Sequence, residues 1–339
     1  MATAQSHIRI AVDAMGGDFA PHNVVAGAME ALRASGNRFD VLFVGPESIL
    51  RDELHGLGEN GHRCRIIDAP QVITMSDGAM SAVREKKDSS IAVGVSLNKD
   101  GAADAFVSAG HTGAVMSAST LILGRIEGIG RPTIGAFFPS ERGVCLLLDA
   151  GANIDCKPQH LYEFAIMGSI YAREMLMLPN PTVGLLSIGE ESTKGNALTL
   201  ETYELLSRSR LNFVGNVEGR DILKGEANVV VCDGFVGNVL LKFAESVPRL
   251  LKTKFRNLAA RNVFQKVWVG MMSRTLRSVM KDFDYQEYGG VPLLGVNGVS
   301  IIGHGKSTPK AFKNMILKAE EMVRKNITGT IRESVAAAR

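Results

Sequence analysis

The sequence predicts an α/β protein: a mostly parallel sheet with helices on both faces. Three observations carry that expectation. Short β-branched runs alternate with stretches of helical periodicity. The runs are almost continuously apolar, as strands buried on both faces must be. Most of them end in turns rich in glycine, aspartate and asparagine, the position where open α/β sheets bind ligands.

Taken in order, Ile8 to Val12 reads as the first strand, followed by Val41–Val44, Arg65–Ile67 and Ala105–Val107. Thr133–Phe138, Val144–Leu148, Val183–Ser187, Asn212–Val214 and Val229–Val231 continue the series. Apolar residues at helical spacing fill the gaps, for example over Val24–Leu32, Ile91–Leu97 and Leu161–Met177. No repeat or low-complexity linker divides the chain, so residues 1–339 read as one α/β catalytic domain.

One stretch departs from the alternation. Residues 238–282 carry no strand signal and read as an inserted, amphipathic, basic helical hairpin. Leu240, Phe243, Val247, Leu250 and Phe255 form one apolar stripe. Phe264, Trp268, Met271, Met272, Leu276 and Met280 form a second. Between Arg249 and Lys281 stand nine Lys or Arg and no Asp or Glu, whereas a solvated helix face ordinarily mixes signs.

Composition excludes several classes. The net charge of +3 is only weakly positive, so the whole-molecule field says little about partners, and no nucleic-acid partner is expected. The four cysteines stand apart, with no C-x-x-C pair, and read as reduced thiols. The first residues lack the basic and apolar regions of a signal peptide, and no apolar run approaches the roughly 18 residues needed to span a bilayer. The expectation is a cytoplasmic protein able to lie peripherally on a membrane.

Six turns carry the candidate chemistry: Asp13 to Asp18, Ser108 to Gly113, Asp149 to Asn153, Gly189 to Asn196, Asn216 to Asp221, and Asp233 to Asn238. Taken singly, each is ordinary turn and cap composition. Together they suggest a cleft in which glycine backbone and helix starts receive an anion. No G-x-G-x-x-G follows the first strand, so a dinucleotide site is not expected. Gly305-Lys306-Ser307 resembles the end of a P-loop, but Ser300 stands where its glycine is required. No G-x-S-x-G elbow and no metal-ligand cluster occurs, and neither metal nor cofactor is expected. Anion-friendly turns without a kinase motif or an evident nucleophile suggest that phosphate itself is a substrate.

Several motifs are long and ordered: Val12-Asp13-Ala14-Met15-Gly16-Gly17-Asp18 with Ala20-Pro21, Lys87 to Ser90, Ser108-Ala109-Gly110, Asp149 to Asn153, Asn180-Pro181, Glu190 to Asn196, Asp233 to Asn238, and His304-Gly305. In these the chain resembles the bacterial phosphate acyltransferases of phospholipid synthesis, over roughly residues 8 to 328. One departure stands out: His111 occupies the place where that family usually has Asn. The resemblance implies a three-layer αβα fold similar to phosphotransacetylases and to the isocitrate and isopropylmalate dehydrogenases, usually dimeric. It implies transfer of a fatty acyl group from acyl carrier protein to inorganic phosphate. The acyl phosphate would feed a membrane-embedded acyltransferase. The chemistry is self-consistent. Phosphate is a nucleophile near neutral pH, and a thiolate is a good leaving group. The protein need only position the reactants and stabilise an oxyanion. A phosphotransacetylase using short acyl-CoA and a non-enzymatic membrane-recruiting scaffold are the rival readings.

Roles follow as expectations. Lys194, Asn238 and His304 are the candidate catalytic groups, with Lys194 the cation for phosphate or oxyanion. Asp13, Gly16, Gly17, Ser108, Gly110, His111, Thr112, Asn153, Gly189, Glu190, Asn196, Asp233 and Gly237 are the candidate phosphate and substrate contacts. Of these, Asp13 and Asp233 suit loop orientation better than direct contact with an anion. Arg84, Lys86 and Lys87 either meet the acidic carrier or are simply solvated. Lys266, Trp268, Val269, Met271, Met272 and Arg274 are the candidate membrane or carrier contacts, and pairing with a second subunit is the third possibility for the same face.

Overall fold

A computed structural model describes residues 7–56, 63–280 and 289–337. The chain begins with β1 (Ile8–Asp13), α1 (His22–Ala34), β2 (Phe39–Gly45), α2 (Glu47–Gly56), β3 (Cys64–Asp68), α3 (Ala79–Glu85), α4 (Ser90–Lys99), β4 (Ala105–Ser108) and α5 (Thr112–Ala118). It continues through β5 (Thr133–Ser140), β6 (Gly143–Leu148), α6 (Pro158–Met175), β7 (Thr182–Leu186), α7 (Ala197–Ser207), β8 (Asn212–Val217), α8 (Gly219–Lys224) and β9 (Val229–Val231). It ends with α9 (Gly234–Ala259), α10 (Val263–Met280), β10 (Val291–Leu294), β11 (Val299–Ile302), α11 (Pro309–Arg324) and α12 (Ile327–Ala337).

Among the described residues eleven strands form one sheet in the order β3-β2-β1-β4-β11-β10-β5-β6-β9-β7-β8. Seven neighbouring pairs are parallel. The three antiparallel pairs, β11 with β10, β10 with β5, and β5 with β6, lie together in the middle. The strand patterns read from sequence recur, and β10 and β11 are added to them. These two are only four residues each, one holds Pro292, and the short Gly295-Val296-Asn297-Gly298 turn joins them. Such brief runs carry little periodicity, yet they join the two halves of the sheet.

Alternate residues of each strand point to opposite faces. Ile10 and Val12 of β1, Val107 of β4, Ile301 of β11, Leu146 and Leu148 of β6, and Val229 and Val231 of β9 share one apolar cluster with α1, α6 and α11. That cluster runs unbroken under the whole sheet. On the other face the core is divided. Ala11, Phe106 and Ile302 pack with α4 and α5, whereas Leu147, Val230 and Val217 pack with α8 and the base of α9. The segment after β6 sits at the division: Ala150 belongs to the second group and Ala152 packs on the first.

The hairpin is formed by α9 and α10, which pack on each other. Its first helix starts at Gly234 rather than Asn238, because the Asp233 carboxylate caps it by accepting from Val236 N at 3.0 Å. Only Gly234 and Gly237 of α9 are fully buried, and Leu240, Leu241 and Ala244 pack on the core from its next turns.

On α10, Val263, Phe264, Val267, Trp268 and Met271 share one exposed face, with Trp268 50 % and Phe264 88 % exposed. Lys266 is exposed beside them. Val269 and Met272 fall on another stripe and are half-buried, which corrects their expected place in the exposed set. The physical reason is the 100° step of the helix: residues 265, 269 and 272 form one side and residues 264, 267, 268 and 271 the other. The side chains of Arg274 and of residues 276–280 lie outside the described residues, as does Lys281. Among the described residues no helix is long and apolar enough to cross a membrane.

Candidate active site

The turn after β1 is built around a buried carboxyl. Asp13 is 1 % exposed and accepts from Ser108 Oγ at 2.6 Å and from Met15 N at 3.1 Å. Burial raises its pKa, and the hydrogen bonds from Ser108, Ser90 and Met15 oppose that rise. Ser108 Oγ in turn accepts from Gly110 N at 3.0 Å. The β1 and β4 turns touch backbone to backbone here. A Cβ on Gly16 would lie 2.8 Å from Gly110 N, and Gly17 takes a φ of +114°. Asp18 N donates to Gly305 O at 2.7 Å and Gly303 N to Ser108 O at 2.8 Å, which ties the β11 turn to the other two. Asp13, Ser108 and the Gly110 amide thus hold the loop architecture through bonds to one another.

His304 follows β11. Its Nδ1 accepts from Lys306 N at 3.1 Å, which puts the proton of the neutral ring on Nε2. Burial lowers its pKa, Glu245 opposes that, and Lys242 and Arg249 reinforce it. Lys242, Glu245 and Arg249 stand on α9, which therefore runs near the β11 turn, and Asp18 of the β1 turn also opposes the shift. His111 caps α5 by accepting from Ala114 N at Nδ1, at 3.3 Å, and Thr112 begins that helix at the surface. An imidazole nitrogen takes the capping role that an Asn oxygen fills elsewhere.

A second buried carboxyl organises the turn after β6. Asp149 accepts from Ile134 N, Ala152 N, Asn153 N and Asn153 Nδ2. Burial raises its pKa against those four donors. Asn153 Nδ2 also donates to Pro132 O at 2.8 Å, so both amide hydrogens expected for phosphate are engaged. Glycine is required where α9 meets this turn: a Cβ on Gly234 would lie 2.7 Å from Asn153 O. Asn238 stands exposed over Gly151, and its amide has no hydrogen-bond partner among the described residues. Asp149 belongs to one of the sequence motifs but not to the contacts expected from sequence. Its position at the end of an apolar strand, four residues before Asn153, is the signal that marks it.

The turn after β7 holds Gly189, Glu190, Lys194 and Asn196. Ser187 Oγ donates to Lys194 O at 3.1 Å, and Asn216 Nδ2 donates to Glu191 O at 2.8 Å. Asn196 caps α7 by accepting from Thr199 N at 2.9 Å. Glu190 lies 3.7 Å from Arg220 at the surface. Lys194 is exposed, and its ammonium has no partner among the described residues.

The turns do not form one ring at one sheet edge. Strands β1, β4 and β11 run one way and β6, β7, β8 and β9 the other, so their carboxyl ends face opposite edges. Helix α9 bridges them, starting at the β9 end and passing His304 two to three turns later. Asn238 and the β7 turn lie on either side of its first turns, with exposed Phe235 between them. Among the described residues no group of three His, Cys, Asp or Glu could hold a metal ion.

The chain matches the family described as "Fatty acid synthesis protein" over residues 8–329. A curated protein named phosphate acyltransferase from Desulforudis audaxviator is 51% identical over 324 residues, 96% of this chain and 95% of that one. One of the same name from Chlorobaculum parvum is 46% identical over 333 residues, 96% and 98% of the two chains. The chain belongs to the phosphate acyltransferase family. Membership makes it an enzyme, an acyltransferase of lipid synthesis. The fold agrees: a phosphotransacetylase from Streptococcus pyogenes superposes with a TM-score of 0.63 at 19% identity, covering 95% of each chain. The EutD phosphotransacetylase from Staphylococcus aureus gives 0.60 at 15%, covering 94% of each.

Three of the four thiols are poorly suited to act as nucleophiles. Cys145 and Cys156 are both pushed up to about 12, and Cys232 well above the ordinary thiol value, in each case first by burial. Cys156, whose Sγ lies 3.5 Å from Asn153 O, is raised further by the Asp149 charge.

Proposed function

We propose that the enzyme transfers a long-chain acyl group from acyl carrier protein to inorganic phosphate, by direct attack of a phosphate oxygen on the thioester carbonyl. The C–S bond breaks, the carrier leaves as its thiolate, and acyl phosphate is released into phospholipid synthesis. The observation that carries this reading is the full-length likeness to proteins named phosphate acyltransferase. The raised thiol pKa values support direct attack, since a thiol near 12 supplies almost no thiolate at neutral pH.

Lys194 and the amide of Asn238, both without a hydrogen-bond partner among the described residues, are the groups with donors to offer to phosphate or the tetrahedral oxyanion, and His304 is the third candidate. The Asp13 and Asp149 turns hold the backbone around them. No bond to the protein forms at any step, so acyl-enzyme trapped without phosphate would refute the mechanism.

The hairpin's exposed face is proposed to lie on anionic membrane, near the enzyme that consumes the product. Its Phe264, Trp268 and Met271 would enter the interface and Lys266 would meet lipid phosphates. A homodimer is proposed in keeping with the family. The deciding experiment incubates the enzyme with acyl carrier protein bearing a labelled acyl group and with phosphate, and looks for labelled acyl phosphate. Product with short acyl-CoA but not with the carrier donor would replace this reading with a phosphotransacetylase.

A further inference from the structure

Beside the β7 turn, α9 presents a second feature. Phe235, Val236, Val239 and Leu240, at positions i, i+1, i+4 and i+5, form one stripe facing Leu186, Ser187 and Gly219. Between them lies an open apolar pocket of about 280 Å³. Phe235 is 64% exposed and Val239 55%, an apolar surface that ordinary folding leaves uncovered only at a cost. Ser187, the one polar side chain of the lining, donates to the main-chain oxygen of Lys194, so the pocket adjoins the backbone of the β7 turn that carries this lysine.

We propose that this pocket seats the fatty acyl chain of the thioester donor. The inference rests on the long-chain acyl-transfer reading above and assigns that substrate's tail to specific residues. The occupant follows from three facts. The lining offers almost no hydrogen-bonding groups, so a polar substrate arm gains nothing there. Taking about 30 Å³ for each water-sized group, the volume holds on the order of nine methylenes, part of a long chain and more than a short one. The pocket also lies next to the exposed Lys194 and across Phe235 from Asn238, so a chain lying in it brings its thioester end toward the groups proposed to receive charge.

The test is a chain-length profile. Saturated C4 to C16 donors are compared on carrier protein and on CoA, with acyl phosphate as the readout. Wild type is expected to gain in kcat/KM with each methylene seated, by at most roughly fourfold where the methylene is fully buried, then to level off. Val239→Trp and Val236→Trp fill the pocket from an exposed position. Each is expected to lower the ratio of kcat/KM for C14 over C4 by about tenfold or more. The ratio is internal to each variant, so partial loss of folded enzyme does not move it. An unchanged ratio in both variants, with wild type making acyl phosphate, overturns the pocket assignment alone. An unchanged ratio with altered solution mass overturns it in favour of an interface between copies. No acyl phosphate from wild type with any donor overturns the reaction and the pocket together.

Discussion

A Cβ on Gly237 would lie 1.8 Å from the carbonyl oxygen of Asp149, so α9 leaves the sheet with its first-turn backbone pressed on the β6 turn. Neither partner can give way easily, because the oxygen is main chain and the Asp149 side chain holds four donors. Gly237→Ala is therefore expected to cost about 3 kcal/mol or more, despite the higher helix propensity of alanine. Thermal melting checks this. An unshifted Tm would mean that the helix start can tilt away.

Lys194→Ala is expected to leave stability almost unchanged, since the side chain is exposed and unpaired among the described residues. Its effect on the reaction should be large, roughly 2–4 kcal/mol of transition-state stabilisation, as for other lost oxyanion donors. Steady-state kcat/KM on the carrier donor is the measurement. Wild-type turnover would make Lys194 a bystander.

His304 gives a pH signature. Burial holds its imidazole below the ordinary value of about 6.5. A depressed value means the folded state favours the neutral ring. That contribution is fully present above about 6.5 and is lost as pH falls through the folded value. His304→Asn keeps an acceptor for Lys306 N and removes the titration. Below about pH 6.5, wild type should lose stability more steeply than the variant in urea melts. His160 is shifted in the same direction but is present in both proteins, so the difference isolates His304. Parallel curves would contradict the assignment.

The cap at α5 separates geometry from residue identity. His111→Asn restores the side chain expected from the family and keeps an acceptor for Ala114 N. It should stay within about 0.5 kcal/mol of wild type, whereas His111→Ala should lose about 1 kcal/mol. Equal losses in both would show that the imidazole does more than cap.

Membrane docking is tested by flotation with anionic vesicles. Phe264→Glu with Trp268→Glu should abolish binding while solution activity persists. Retained binding would refute this anchor. Lost solution activity would point to the carrier or a second subunit on the same face.

Much of the fold could be read from local pattern, and the limits are physical. Strand–helix alternation and the two hairpin stripes are written within a few turns of chain, so they are visible. Strands β10 and β11 are not, because their partners β4 and β5 lie well over a hundred residues away. The opposed directions of the two strand groups depend on those same pairings. The glycine turns are visible as motifs, but composition does not say which polar atoms are already engaged. Asn153 and Lys194 look equally available in sequence. In the fold, one has both amide hydrogens bonded and the other has an ammonium without a partner among the described residues.

The unbroken apolar layer beneath the sheet has a mechanical consequence. Two lobes joined by a thin strap can swing as rigid bodies. Here Leu146, Leu148, Val229 and Val231 of one half share a packed layer with Ile10, Val12 and Val107 of the other. Hinge rotation would tear that layer. Approach of the two halves toward each other is therefore expected to come from flexing of the plate as a whole, with the divided face closing like the inner side of a bent card. The same continuity ties the halves in unfolding, and a calorimeter is expected to record one transition rather than two.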